Sequence, residues 1–302
     1  MIKKTLYFGN QAFLNAKNNQ LIINKKDEKT SEKKEILIPI EDIGVVIIDN
    51  YGVTLTQYLL SSLIENNVAV VICNSNHLPN GMFLNLDCNT LQSEKFRNQI
   101  SASKPLLKNL WQQIVIAKIK NKTSLLKKNN IPVSNMKKWI SEVKSNDSTN
   151  LEARASVYYW KNLFPKDINF ERDRYGEPPN NLLNYGYAIL RAVVARGLVA
   201  SGILPTIGIH HHNKYNSYCL ADDIMEPYRP FVDEIVLNIV KNNENFFDLN
   251  TEMKKKLLKI PVIDIFIDNE KRPLMIGLQR TTASLAKCYA GETKKIIFPE
   301  LK

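Results

Sequence analysis

The chain has 302 residues, of which 44% are apolar, and 41 Lys and Arg against 30 Asp and Glu give a formal net charge of +11. That length and apolar share suit two domains or one large one with a real core. No stretch approaches the roughly 20 apolar residues of a spanning helix, and the start, Met1-Ile-Lys-Lys-Thr-Leu-Tyr-Phe-Gly9, lacks the apolar run and cleavage site of a signal peptide. Cys73, Cys88, Cys219 and Cys288 have no C-x-x-C spacing, which argues for reduced cysteines in the cytoplasm and against a zinc site or disulfide framework. The positive excess points to a polyanionic partner (DNA, RNA or an anionic membrane surface), against the plainer reading of a merely solvated surface.

The first part of the chain reads as β-rich. Thr5–Phe8, Leu21–Ile23, Glu35–Ile38, Val45–Ile48 and Val68–Ile72 are short β-branched runs between turn-rich segments. Lys25 to Lys34 has nothing to bury and belongs at an exposed hairpin tip. One helix is expected over Leu55 to Glu65, where Leu55, Leu59 and Leu63 form a stripe. Leu78-Pro-Asn-Gly81 reads as a turn, with an edge strand over Met82 to Leu86. The boundary falls near residue 85.

Beyond Thr90 the period becomes helical. Lys104 to Lys128 places Leu107, Trp111, Ile114, Val115 and Ile119 on one face. Its lysines, Lys118 and Lys122 among them, read as a solvated face rather than a phosphate-binding one. A short helix near Lys137–Ile140 follows. Thr149-x-x-Glu152 then has the form of a capping box opening a helix that runs to Phe164. Asn180 to Gly202 is a long, mostly apolar helix, stopped by Gly202 and Pro205. Pro227 and Pro230 mark a helix start or kink before Phe231–Val240, and Gln279–Tyr289 makes a last helix. The fold class is therefore α+β, with a small β-rich amino-terminal domain (1–85) and a larger all-α domain (86–302). No repeat, Gly-rich phosphate loop or G-x-S-x-G elbow is present.

The stretch from Gly208 to Pro230 carries the chemistry. Three of the four histidines, His210, His211 and His212, precede a helix start with Asp223 and Glu226 on one face. An imidazole near two carboxylates suits a hard divalent cation that tolerates one nitrogen ligand. Spacing alone leaves a structural histidine equally open and does not supply a third ligand.

Gly208-x-x-His211, Leu220-Ala-x-Asp223-Ile-Met-Glu226-Pro-Tyr-Arg229-Pro230, the upstream Glu152-Ala-Arg and the intervening Asn181-x-x-Asn184-Tyr-Gly-Tyr187 together resemble the CRISPR-associated integrase family. This is the larger, catalytic subunit of the spacer-acquisition machinery, and the likeness is greatest to members accompanying type II systems. It spans nearly the whole chain. His211 stands three residues after Gly208 and fifteen before Glu226, the spacing of the family histidine on both counts.

The resemblance implies a divalent-metal-dependent DNA endonuclease and integrase, with Mg²⁺ or Mn²⁺ held by Glu152, His211 and Glu226 as catalytic ligands. Asp223 would support the site, although the doubled Asp222-Asp223 leaves open which of the two does so. The family reading of Glu152 displaces its capping reading. Double-stranded DNA (the fragment and the CRISPR array) is the implied substrate. The implied assembly is a homodimer formed through the β-rich domain, with a smaller CRISPR-associated subunit bridging two dimers and no membrane. Arg172, Arg174, Arg229, Arg280 and Lys287 are candidate phosphate contacts. The rival readings are a general metal-dependent repair nuclease and a non-catalytic basic DNA-binding scaffold.

Overall fold

The architecture is that of a computed structural model, which describes residues 3–26, 33–75, 77–86, 89–242 and 244–302. The chain divides into two units, Met1–Thr90 and Leu91–Lys302.

The first unit is built on two four-stranded sheets. Strands β1 (Lys4–Phe8), β2 (Phe13–Lys17), β3 (Gln20–Lys26), β4 (Lys33–Pro39), β5 (Ile43–Ile48) and β6 (Thr54–Leu55) precede α1 (Gln57–Glu65), β7 (Ala69–Cys73) and β8 (Pro79–Phe83). One sheet has the order β1-β5-β7-β8, the other β4-β3-β2-β6. In the first, β1, β5 and β7 are parallel and β8 is antiparallel to β7. The central strand, Ile43-Gly-Val-Val-Ile-Ile48, is buried along its whole length, as expected of a parallel strand covered on both faces. Leu14, Leu21, Ile23, Val46, Leu59 and Val70 belong to one apolar cluster.

The five expected strands lie at β1, β3, β4, β5 and β7. Strand β2 was not legible, because Phe-Leu-Asn-Ala-Lys has neither alternation nor β-branched residues. It is fixed by its antiparallel partner β3 across Asn18-Asn19, both at positive φ as a two-residue hairpin turn requires. The expected helix begins two residues later, at Gln57, because Thr56 caps it and Leu55 is drawn into β6. The turn placed at Leu78–Gly81 is instead mostly strand β8. Most of the predicted hairpin tip, 27–32, and Cys88 lie outside the described residues, while Cys73, Cys219 and Cys288 are buried and not in disulfides.

The second unit contains α2 (Gln92–Ile100), α3 (Lys104–Lys128), α4 (Ser134–Glu142), α5 (Leu151–Leu163), α6 (Asn180–Ala200), α7 (Cys219–Met225), α8 (Arg229–Lys241), α9 (Thr251–Leu257) and α10 (Leu274–Tyr289). It is not all-α. An antiparallel hairpin, β9 (Asp264–Ile267) with β10 (Glu270–Pro273), turns on Asp268 and Asn269, both at positive φ, and leads directly into α10. Its strands are too short for a period-2 signal to register in the sequence.

Helix α6 is the pillar of this unit, packed against α7, α8, α9 and α10. By length and composition it could cross a membrane, contrary to the sequence expectation, yet 78% of its apolar window is buried within the fold. Gly186 lets α8 approach closely, since a Cβ there would stand 2.5 Å from Val232 Cγ1. Gly186→Ala should therefore lower stability by about 1–3 kcal/mol despite the better helix propensity of alanine. Urea unfolding tests this, and a midpoint equal to the parent's would show that the two helices separate without cost.

Candidate active site

The site lies wholly within the second unit, where α3, α5, the α6–α7 loop and the α7–α8 junction converge. The loop leaves α6 at Gly202, in the left-handed region with φ of 74°. It is then pinned by Asp223, a fully buried residue on α7. Asp223 Oδ2 accepts the amides of Ile209 at 2.7 Å and His210 at 3.0 Å, and its Oδ1 lies 2.5 Å from His211 Nδ1. Only glycine fits at 208, where a Cβ would come within 2.2 Å of the His211 carbonyl. Holding Nδ1 against a carboxylate fixes the ring orientation and leaves Nε2 as the outward atom. That hydrogen bond outweighs burial and raises the His211 pKa above its usual value. Trp111 of α3 supports the same loop, with His210 stacked on its ring at 4.0 Å and His211 edge-on at 5.9 Å.

The aspartate left open by the sequence resolves on geometry. Asp223 is the one that bonds His211, whereas Asp222 faces Arg191 Nε and Asn216 Nδ2, each at 2.7 Å.

Glu226 sits where α7 ends, in a single 3₁₀ turn before α8. Pro227 supplies no amide there, so the regular helical ladder cannot run through. The carboxylate is buried between two cations: Arg229 Nη2 lies 3.1 Å from Oε1 and Lys118 Nζ 2.5 Å from Oε2. Burial pushes its pKa up, but Arg229 and Lys118 prevail and hold it at about 2.

Glu152 is the second residue of α5. The capping box does not form: the cap position is Asn150, in the left-handed region and without a side-chain bond. Asp147 does the capping, with Oδ1 accepting the Leu151 amide and Oδ2 the Glu152 amide, both at 2.9 Å. Glu152 is thereby released to turn inward, where its Oε1 meets the Lys118 ammonium and receives Ser156 Oγ at 3.0 Å. Burial raises its pKa, and the ion pair with Lys118 outweighs this and lowers it.

Lys118 and Lys122 are not a solvated face. Both are buried, one turn apart on α3 and opposite Glu152 and Ser156, also one turn apart on α5. The signal was present in the sequence, because Lys118 follows Trp111 by seven and Ile114 by four and so falls on the apolar stripe itself. Lys118 joins Glu152 to Glu226, and those carboxylates outweigh burial to raise its pKa. Lys122 donates to Ser156 Oγ at 2.7 Å and is pushed down to about 7 by burial and by Lys118.

Among the described residues no three His, Cys, Asp or Glu side chains converge tightly enough to hold a metal ion. The structure brings Glu152 and Glu226 together through Lys118, with His211 near enough to feel the Glu226 charge. This donor set nevertheless fits a hard cation: two carboxylates and one outward imidazole nitrogen. Glu226 Oε2 is buried without a hydrogen-bond partner and faces only the Lys118 charge. An oxygen so placed already serves one cation, and it is the hard donor type that a divalent metal ion would use.

The candidate phosphate contacts fall in two places. Arg229 and Arg172 lie against the Tyr187 ring at 4.9 and 5.5 Å, and Arg172 also bonds Asn180 and Asn184. Arg174, two residues after Arg172, is exposed. Arg280 pairs instead with Asp268 and Glu270 of the hairpin, while Lys287 is exposed on the same helix.

A family profile described as "CRISPR associated protein Cas1" matches residues 6–269. The chain belongs to the Cas1 family. A CRISPR-associated endonuclease Cas1 of Neisseria meningitidis serogroup C (strain 8013) is 32% identical over 297 residues, covering 98% of this chain and 94% of that protein. Among solved structures, a casposase bound to integration product superposes with a TM-score of 0.82 at 20% identity, covering 100% of this chain and 95% of that one. A chain of a Cas6-RT-Cas1–Cas2 complex gives 0.76 at 21% identity, covering 100% of this chain and 37% of that one. These two likenesses concern the fold.

Two outcomes follow for a Cas1 chain with this site. Asp147→Ala should cost about 1 kcal/mol as a lost cap, and Thr149→Ala almost nothing, by urea unfolding; the reverse order would restore the capping box. The Glu226 carboxyl is held at about 2 in the folded chain, below its ordinary value of 4.5. Its contribution is therefore present above about pH 4.5 and lost as pH falls toward 2, on the order of 3 kcal/mol at most. In chelator, Glu226→Gln should show a smaller loss of stability over that window than the parent.

Proposed function

We propose that the chain is the catalytic subunit of CRISPR spacer acquisition, joining the 3′-hydroxyl ends of short DNA fragments into the repeat array. The observation that carries the reading is the pairing of Glu152 and Glu226 through Lys118, with His211 near enough to feel the Glu226 charge, in a Cas1-family fold. The names of the relatives, an endonuclease and a casposase bound to its integration product, support phosphodiester chemistry of this kind.

The chemistry needs stabilised charge at a phosphate and an activated hydroxyl. A Mg²⁺ or Mn²⁺ held by Glu152, His211 and Glu226 would supply a Lewis acid for the phosphoryl oxygen and orient the attacking group. Asp223 engages Nδ1 of the His211 ring, which leaves Nε2 as the nitrogen a metal ion would use. Arg229 holds the second oxygen of Glu226 and so fixes the carboxylate plane. No protein nucleophile is required, because the attacking group is the fragment's own 3′-hydroxyl. Water in its place gives hydrolysis, so cleavage of branched or nicked DNA is the expected side reaction.

The proposed assembly is a homodimer formed through the β-rich unit and bridged by a smaller subunit. The Cas1–Cas2 pairing in the name of a structural neighbour supports that partner. Arg172, Arg174, Arg229, Arg280 and Lys287 are the proposed phosphate contacts.

The deciding experiment incubates the purified protein with a 3′-hydroxyl fragment, a supercoiled plasmid carrying the repeat, and Mg²⁺ or Mn²⁺. Joined products are expected, while cleavage without joining would favour a repair nuclease and DNA binding without either a scaffold. Glu152→Ala, His211→Ala and Glu226→Ala should each lower joining by about 10²-fold or more, and Asp223→Asn by roughly 10- to 100-fold. His212→Ala, at an exposed ring, should stay near the parent rate. A His211→Ala variant of parental activity would remove the histidine from the site.

A further inference from the structure

Lys118 occupies the ground on which a cation would bind. Its ammonium contacts Glu152 Oε1 and lies 2.5 Å from Glu226 Oε2, and its side chain is only 10% exposed. The neighbouring cations are committed elsewhere: Lys122 donates to Ser156 Oγ, and Arg229 takes the opposite Glu226 oxygen. One ammonium therefore serves two carboxylates that would otherwise repel each other in a dry site.

Resting on the metal-dependent reading above, we propose that Lys118 is the resident counter-ion of the Glu152–Glu226 pair, and that a divalent cation enters by displacing it. A Mg²⁺ ion needs carboxylate oxygen at about 2.0–2.1 Å. The oxygens it would use are those the ammonium already faces, and two cations crowded onto the same oxygens repel strongly where water is excluded. The lysine stem is long and flexible, so the ammonium can swing away while α3 stays packed. Lys118 thus keeps the two glutamates assembled without metal and sets the concentration at which metal takes over.

The test has two arms, both on the full chain and neither reading activity. Calorimetric titration with Mn²⁺ should give a Kd about tenfold or more tighter for Lys118→Met than for the parent, since one competing interaction of about 1.4 kcal/mol corresponds to tenfold. The variant should also melt lower than the parent in chelator, and the gap should narrow at saturating Mn²⁺. The second arm uses the unmodified protein and so is independent of whether the variant folds. Amine acylation read by mass spectrometry should find Lys118 shielded in chelator and labelled several-fold faster at saturating Mn²⁺. Mn²⁺ binding with Lys118 equally shielded in both states overturns displacement while leaving metal binding standing, even if Lys118→Met binds more tightly. An equal Kd for the two proteins also overturns it. No Mn²⁺ binding to either protein overturns both this proposal and the metal reading beneath it.

Discussion

Two buried carboxylates that share one ammonium are the constraint around which the second unit is arranged. Taking a carboxylate out of water costs several kcal/mol unless an opposite charge or a set of donors meets it. Glu226 is almost fully buried and Glu152 three-quarters so at its side chain, yet Lys118 and Arg229 hold both on the charged side of their titrations. Because removing any one partner would strand the others, the contacts act as a single unit. They fix α3 against α5 and against the α7–α8 junction, and thereby fix the shape of the pocket. Such a network contributes little net stability relative to an apolar replacement. Its persistence in the middle of a helical core is better explained by positioning than by stability.

The acidic residues divide into two kinds. The aspartates organise backbone and neighbours: Asp147 caps α5, Asp223 gathers the His211 loop, Asp222 faces Arg191 and Asn216, and Asp233 accepts from Tyr159 and Tyr187. Burial pushes the Asp233 carboxyl up to about 6 even with both phenols donating to it. Each aspartate has its donors within the protein, so none turns a bare oxygen to the pocket. The two glutamates face the ammonium, and Glu226 Oε2 meets no donor besides it. A short side chain reaches its own backbone readily and a longer one reaches across to another helix. That difference in length is the physical origin of the division.

Much of this was legible in the sequence. Helix α3 is bounded at both ends by the sequence pattern and Pro227 marks the break that presents Glu226, whereas the choice of one histidine of three came from the family resemblance. The unreadable parts share a cause, which is that the local residue pattern is either silent or matches a rule that the backbone does not follow. Thr149-x-x-Glu152 satisfied the local rule for a capping box, but Asp147 took the amides because Asn150 adopts a left-handed conformation. Strand β2 exists because β3 pairs with it, and the hairpin before α10 is too short to carry a pattern. Lys118 was misread for a different reason. A lysine on an apolar stripe was assigned by residue type when its position called for an anionic partner across the core, and such a lysine is rarely buried unless paired.

The charge of the pocket also bears on how a polyanion can reach it. A strand of DNA brings one negative charge per phosphate, and bare carboxylates would repel it. Here Glu152 and Glu226 are already matched by Lys118 and Arg229, with Lys122 behind them and Arg172 beside Tyr187. Each of the two glutamates thus has a cation beside it, on a chain whose overall charge is +11. Long-range attraction then steers the duplex, as in any basic nucleic-acid-binding surface. The two carboxylates are therefore present without forming an electrostatic barrier to an approaching phosphate. A site with the same two glutamates but without the buried cations would face repulsion on approach, and this is the physical reason for placing lysine and arginine within the core beside them.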